Sequence, residues 1–369
     1  MNENSKNKED LNQTSDRPLK VEVLVNSLGP HERVRIREPF FMLQRMGITV
    51  RLHRHPFHLP SCIQPHSMVI WQRPLPESWQ QQINLLRWFR SRGCMLLTEW
   101  DDHPDLMPVK IQQHLNNTMM APIRGCHILH TSSSRLAREL EHINPLSIVI
   151  GNATRRQPEF NASKHRNWSN LRIFVGNQNR EQEHQRLASN LREWCKKDSR
   201  IKIVIIHDNK LACKLPQAQV ELHPLCKYQR YRALLASCHL ALLPLEKNTA
   251  NACKTAIKWI EAASESTVCI AGPELYGSVI DHGHTGWLVE DLDQMVSIAE
   301  LLHENVEHRV AIAYNAYQTI RSQYGLLASC EYRIWLYKHL WRSQKSIDRH
   351  LITRLPEASN ATPFNTSIQ

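Results

Sequence analysis

Lys254, Lys258 and Glu261 are spaced by four and three residues, so on a helix spanning 251–263 they share one narrow stripe. Ala256, Ile257, Ile260 and Ala263 then occupy the opposite side. Turned toward a cleft, the lysines and the free N–H groups of the helix start suit a phosphate, and Glu261 suits sugar hydroxyls, which donate to a carboxylate. Turned toward water, the same stripe is an ordinary solvated surface. The residue types leave both readings open.

A second constellation is Glu99-Trp100-Asp101-Asp102-His103-Pro104. Asp101, Asp102 and His103 are candidates to activate or orient a reacting hydroxyl, which a base does only within hydrogen-bond reach of the proton. Asp101 and Asp102 equally suit the cap of a helix starting near Pro104. A third group is Gly176-Asn177-Gln178-Asn179-Arg180, and a fourth is Gly29, where close backbone approach and a plain turn are alternative reasons for glycine. His130, beside Thr131 and Ser132, reads as a structural histidine.

These residues follow short apolar runs. In the first half the runs are 21–25, 48–52, 68–71, 95–97, 126–129 and 148–150, separated by helical patterns such as 32–46, 77–90 and 134–142. After a polar stretch over 152–170, read as a linker, the alternation restarts with 172–175, 201–206, 220–222, 240–243, 268–271 and 287–289. Alternating strands and helices predict an α/β fold of two tandem Rossmann-like, doubly wound domains, with helices following at the C-terminal end. The expected divisions are a disordered leader over 1–17, domains over 18–155 and 156–325, a C-terminal helix over 326–345 with the first domain as a packing partner, and a disordered tail over 346–369. Ligands of open parallel sheets bind outside the carboxyl ends of the strands, where all four groups lie, so a cleft between facing domains is the expected location.

The chain has 369 residues, 41% of them hydrophobic and 22% charged, which describes a globular protein with room for two cores. The polar first 17 residues show no secretory signal and no apolar run is long enough to span a bilayer, so a cytoplasmic location is expected, with the inner face of the membrane as a peripheral alternative. Ten cysteines are scattered without any C-x-x-C pair, which favours free thiols over a disulfide or zinc framework. His53, His55 and His58 are close together but lack a carboxylate or cysteine to complete a metal site. Neither metal nor cofactor is expected. A formal charge of +11 attracts anions, and without a nucleic-acid-binding signature the expected partners do not include nucleic acid.

The order of several motifs resembles the group 1 (family 4-like) glycosyltransferases of GT-B fold, which include enzymes of lipopolysaccharide and capsule assembly. The matching residues are Tyr228-Gln229-Arg230-Tyr231, Leu240-Ala241-Leu242-Leu243-Pro244-Leu245, Asn251-Ala252-Cys253-Lys254, Lys258-Trp259-Ile260-Glu261-Ala262-Ala263, Tyr276-Gly277-Ser278 and Gly283-His284-Thr285-Gly286-Trp287-Leu288-Val289. Phe174-Val175-Gly176 with Arg180 adds to the match, and Thr131 to Ala137 adds more weakly. The resemblance implies metal-independent transfer of a sugar, in the manner of a hexosyltransferase, from a nucleotide-diphosphate donor to a glycan or lipid-linked acceptor. It implies a role in cell-surface polysaccharide or glycolipid assembly; combined with the charge of +11, a lipid-linked acceptor leads to the expectation of peripheral contact with anionic membrane through the basic first domain. Glu261 matches the glutamate that grips the nucleotide ribose, while Arg180 and Lys254 would neutralise the departing diphosphate. Gly29, Gly176, Asn251 and Lys258 complete the expected donor-binding set. Where many members have a glutamate that contacts the donor sugar, this chain has Cys253. That departure keeps a non-catalytic nucleotide-sugar or glycan-binding protein as the alternative.

Overall fold

In the computed structural model, residues 17–26, 30–54, 62–166, 169–176 and 180–359 are described. The expected leader, apart from Arg17, lies outside them, as do Gly29, His55 and His58. The chain divides into unit 1, residues 1–151 and 327–369, and unit 2, residues 152–326.

Unit 1 is built on six parallel strands, β1 (Lys20–Val25), β2 (Thr49–Arg54), β3 (Met68–Gln72), β4 (Met95–Trp100), β5 (Ile128–Thr131) and β6 (Ser147–Val149), in the order β2-β1-β3-β4-β5-β6. Each overlaps one of the apolar runs, and the inner strands do so because a strand covered on both faces has no alternating polar side, whereas β2 at the sheet edge alternates. β4 is the clearest case: all six residues are buried, Thr98 and Glu99 included. Helix starts are fixed by side-chain caps. Ser78 Oγ accepts from the Gln81 N–H at 3.2 Å, and Ser133 Oγ from the Leu136 N–H at 3.2 Å.

The stretch expected as a disordered tail contains a helix, Gln344–Arg354. Leu351, Leu355 and Ala358 join the core formed by Leu85, Phe89 and Leu96. Arg90 holds Asp348 through two bonds of 2.6 and 2.9 Å, and Arg354 donates to the carbonyls of Arg124 and Cys126 at 2.6 and 2.8 Å. Polar residues here serve packing and satisfy backbone carbonyls, which composition does not reveal.

Unit 2 repeats the plan with β7 (Leu171–Val175), β8 (Ile201–Ile206), β9 (Val220–His223), β10 (Leu240–Leu243), β11 (Val268–Ala271) and β12 (Trp287–Leu288), all parallel, in the order β12-β11-β10-β7-β8-β9. The expected linker is a correction as well: 152–166 and 169–170 belong to this unit. Thr154 bridges Gly325, and buried His165 and Lys164 bond the carbonyls of Ser266 and Glu265, both at 2.8 Å. All ten cysteines are free thiols.

Candidate functional site

The loop after β10 sets the first site. Asn248 Oδ1 accepts from the Asn251 N–H at 2.8 Å and caps a single turn, Thr249–Ala252. The next helix, Ile257–Ser264, begins only after a break. The continuous helix expected over 251–263 is therefore two pieces, and Lys254 sits half-buried between them. Asn251, Cys253 and Thr255 are weak helix formers, and Asn248 offers a local cap, so the chain stops and restarts.

Glu261 and Lys258 do share a face of the second piece. Glu261 is 2% exposed; its Oε2 accepts from the Tyr231 hydroxyl at 2.9 Å and lies 3.4 Å from Lys258 Nζ. That ammonium also sits 4.4 Å from the centre of the Tyr231 ring. Tyr231, on helix Tyr228–Ala236, packs edge-on against Phe174, with ring centroids 5.7 Å apart. Burial and the neighbouring Glu261 charge push the Tyr228 and Tyr231 hydroxyls upward, so both remain protonated donors. Gly176 follows from the same packing: a Cβ there would lie 2.4 Å from the Phe174 ring. A sequence from Gly176 through Phe174 and Tyr231 thus positions Glu261.

Arg180, from the loop after the neighbouring strand β7, reaches the same region. Its guanidinium donates to Asn251 Oδ1 at 3.4 Å and to Glu183 Oε1 at 3.2 Å, while Asn251 Nδ2 donates to the Glu246 carbonyl at 2.9 Å. Cys253 is fully buried, so the polar side chain aimed into this network is Asn251. A pocket of about 320 Å³, lined by Arg186, Leu245, Glu246, Gly272, Glu274 and Glu290 among others, opens at the carboxyl ends of β10, β11 and β12.

In unit 1 the acidic loop is clamped. Arg73 donates to Asp101 Oδ1 at 2.6 Å and to Asp102 Oδ2 at 2.7 Å. Burial alone would raise Asp101, but Arg73, then Arg35, hold it below the usual carboxylate range. The expected aspartate cap is a correction: His103 Nδ1 accepts from the Asp105 N–H at 3.2 Å and caps the turn Pro104–Leu106. Glu99 is fully buried and bonded by Arg35 Nε at 2.7 Å; desolvation raises its pKa. His130 is buried with both ring nitrogens unbonded, and desolvation drives it well below the ordinary histidine value, the neutral state of a structural group.

Arg73 and His31 are not among the residues that the sequence singles out, and Tyr231 stands there within a motif without a role. His31 is kept neutral by burial and by Arg73, with Asp101 and Asp102 opposing the shift. Arg73 carries a visible signal, a charge directly after a buried strand. Among the described residues no group of three or more His, Cys, Asp and Glu is placed to hold a metal ion.

No protein-family model matches the chain, and no curated protein matches it in sequence. Solved structures do match. HepE of Anabaena in complex with UDP aligns with a TM-score of 0.63 and 13% identity over 87% of this chain and 100% of its own. Sucrose-phosphate synthase of Thermosynechococcus elongatus aligns with a TM-score of 0.63 and 12% identity, over 88% and 100%. A glycosyltransferase of Rickettsia africae aligns with a TM-score of 0.61 and 11% identity, over 88% and 99%. At these identities the likeness is one of fold, and the fold of this chain is that of the GT-B glycosyltransferases.

Proposed function

We propose that the protein is a glycosyltransferase that moves a hexose from a nucleotide diphosphate to an acceptor hydroxyl. The observation that carries this reading is the buried Glu261, held by the Tyr231 hydroxyl at the carboxyl side of β10, with Arg180 and Asn251 bonded to each other nearby. Glu261 takes the ribose hydroxyls; Arg180, Lys254 and Lys258 face the diphosphate, whose negative charge grows as it leaves. With Cys253 buried, Asn251 and the pocket carboxylates Glu246 and Glu274 take the sugar hydroxyls. Acceptor chemistry falls to the unit 1 loop with Asp101, Asp102 and His103, where clamped Asp101 orients the acceptor better than it removes a proton. A glycan or lipid-linked acceptor at the inner face of a membrane fits the charge of +11. HepE was crystallised with UDP, which makes uridine diphosphate the first nucleotide to try.

Calorimetric titration with uridine, guanosine and adenosine diphosphates tests the donor site: one of them binds, and Glu261→Gln weakens it. Binding of none, or equal binding by the variant, overturns the assignment. The second reading, a nucleotide-sugar-binding protein without turnover, is favoured by Cys253. Release of nucleotide from any sugar donor in the presence of an acceptor excludes it.

A further inference from the structure

Helix Leu326–Arg342, from Leu327 onward, and helix Gln344–Arg354 belong to unit 1. The inner face of the first is filled. Tyr337 stacks on Phe40 with ring centroids 6.5 Å apart, and the Arg333 guanidinium lies 5.4 Å from the centre of that ring. Its outer face carries large apolar groups that stay half-exposed among the described residues: Leu327, Tyr332 and Trp335 are 55%, 49% and 60% exposed.

The rings on this face are ordered. Trp335 stacks on Tyr332 at 5.8 Å and 25°, and on His339 at 5.9 Å and 11°. One partner lies three residues before Trp335 and the other four after, so the row of rings runs along the helix and leaves an indole edge outward. An outward edge with amphipathic character suits the headgroup layer of a bilayer.

Charge selects the same occupant. Lys338 and Arg342 follow Trp335 by three and seven residues on its side of the helix, and Lys345 and Arg349 are exposed on the next one. Of the nearby carboxylates, Glu331 is exposed, while Asp348 is tied to Arg90 and to His127. A second copy docked symmetrically would oppose like charges, whereas anionic lipid neutralises them. Among the described residues no helix is long and apolar enough to cross a membrane, so the contact is peripheral.

We propose that this face seats the protein on an anionic lipid bilayer, with Leu327, Tyr332 and Trp335 in the headgroup layer and Lys338 and Arg342 against lipid phosphates. The inference stands apart from the donor-site reading, because it needs neither nucleotide nor acceptor. Sedimentation of the full chain with phosphatidylcholine vesicles, pure or containing about one third phosphatidylglycerol, tests it. The expected result is binding to the mixed vesicles only, weakened by raising salt. Trp335→Ser weakens it at least roughly fivefold, since exposed apolar surface loses its burial. Lys338→Gln with Arg342→Gln weakens it on the order of tenfold or more. These positions are exposed, and circular dichroism confirms that the variants fold. No binding to the mixed vesicles, equal binding to pure phosphatidylcholine, or unchanged binding by both variants overturns the proposal. So does concentration-dependent dimerisation, seen by light scattering and abolished by Trp335→Ser, which would make a second copy the occupant.

Discussion

Both units present carboxylates between consecutive parallel strands, Asp101 and Asp102 directly after β4 and Glu261 on the helix between β10 and β11, yet they hold them in opposite ways. Glu261 is buried against neutral and weakly held donors, a tyrosine hydroxyl at 2.9 Å and a half-exposed lysine at 3.4 Å. Asp101 and Asp102 are each bonded by one guanidinium, at 2.6 and 2.7 Å. A carboxylate kept short of strong ionic partners is ready for ligand hydroxyls, whereas a clamped pair spends its charge on the local fold. Under the proposed reading, the difference makes the less conspicuous acid, held by a tyrosine hydroxyl, the nucleotide ligand, and the acidic cluster a part of the unit 1 fold that orients the acceptor.

The largest expected effect breaks the comparison on the unit 2 side. Glu261→Gln removes a charged acceptor of hydroxyl bonds, and nucleotide affinity is expected to fall by about 2 to 3 kcal/mol, on the order of 100-fold. Asp102→Asn, measured in the same titration, leaves nucleotide affinity unchanged. If the two variants lose equal affinity, the distinction between the acids is wrong.

On the unit 1 side, Arg73→Gln releases both aspartates. With Arg73 17% and Asp101 10% exposed but Asp102 37%, the loss is less than for a fully buried pair, about 2 kcal/mol. Amide hydrogen exchange locates it: faster opening is expected in β3 and β4 and none in β7 to β10. The pH sign follows from the lowered Asp101. Its contribution is present above the unfolded aspartate value, about 3.9, and disappears as pH falls through the still lower folded value. Arg73→Gln therefore flattens the acid limb of unit 1 stability, and an unchanged limb contradicts the clamp.

How far the sequence reveals this comparison depends on the range of the interactions. Strands were legible because parallel strands buried on both faces are continuous apolar runs, and even the two-residue β12 falls within one of them. The Glu261 stripe was legible for its i,i+3 pair and failed at Lys254, because periodicity does not register the competing cap by Asn248. Arg73 lies 28 residues from Asp101, and Asp348 lies 258 from Arg90; no local pattern joins such partners. The linker and tail misled for one shared reason: polar side chains such as Lys164, His165 and Arg354 bond buried carbonyls instead of solvent.

A subtler test concerns the packing that leads to Glu261. Gly176→Ala puts a methyl group 2.4 Å from the Phe174 ring, so that ring and Tyr231 on its edge must shift. Nucleotide affinity is expected to drop by about 1 kcal/mol, roughly fivefold, through misplacement of the Tyr231 hydroxyl. Gly151→Ala, where an added Cβ meets nothing within 4 Å, is the matched control in unit 1. Equal affinities for both variants break the proposed chain from Gly176 to Glu261.

The smallest effect contrasts the pH limbs of the two units. Burial lowers the Lys164 amine to about 7, with Cys238 and Glu265 opposing, while its Nζ bonds the Glu265 carbonyl at 2.8 Å and Thr267 Oγ1 at 3.1 Å. Between that value and the ordinary lysine value of 10.5 the unfolded chain binds more protons than the folded one, so this group makes stability rise with pH across the interval. Cys238, pushed up to about 11 by burial, acts in the opposite sense once its unfolded thiol ionises near 9.0. The difference between wild type and Lys164→Met isolates the lysine. Exchange of β10 and β11 amides in the wild type slows relative to the variant as pH is raised from 7 toward 10.5, after correction for intrinsic exchange. Unit 1 amides show no such difference, because Lys164 and the groups it bonds belong to unit 2.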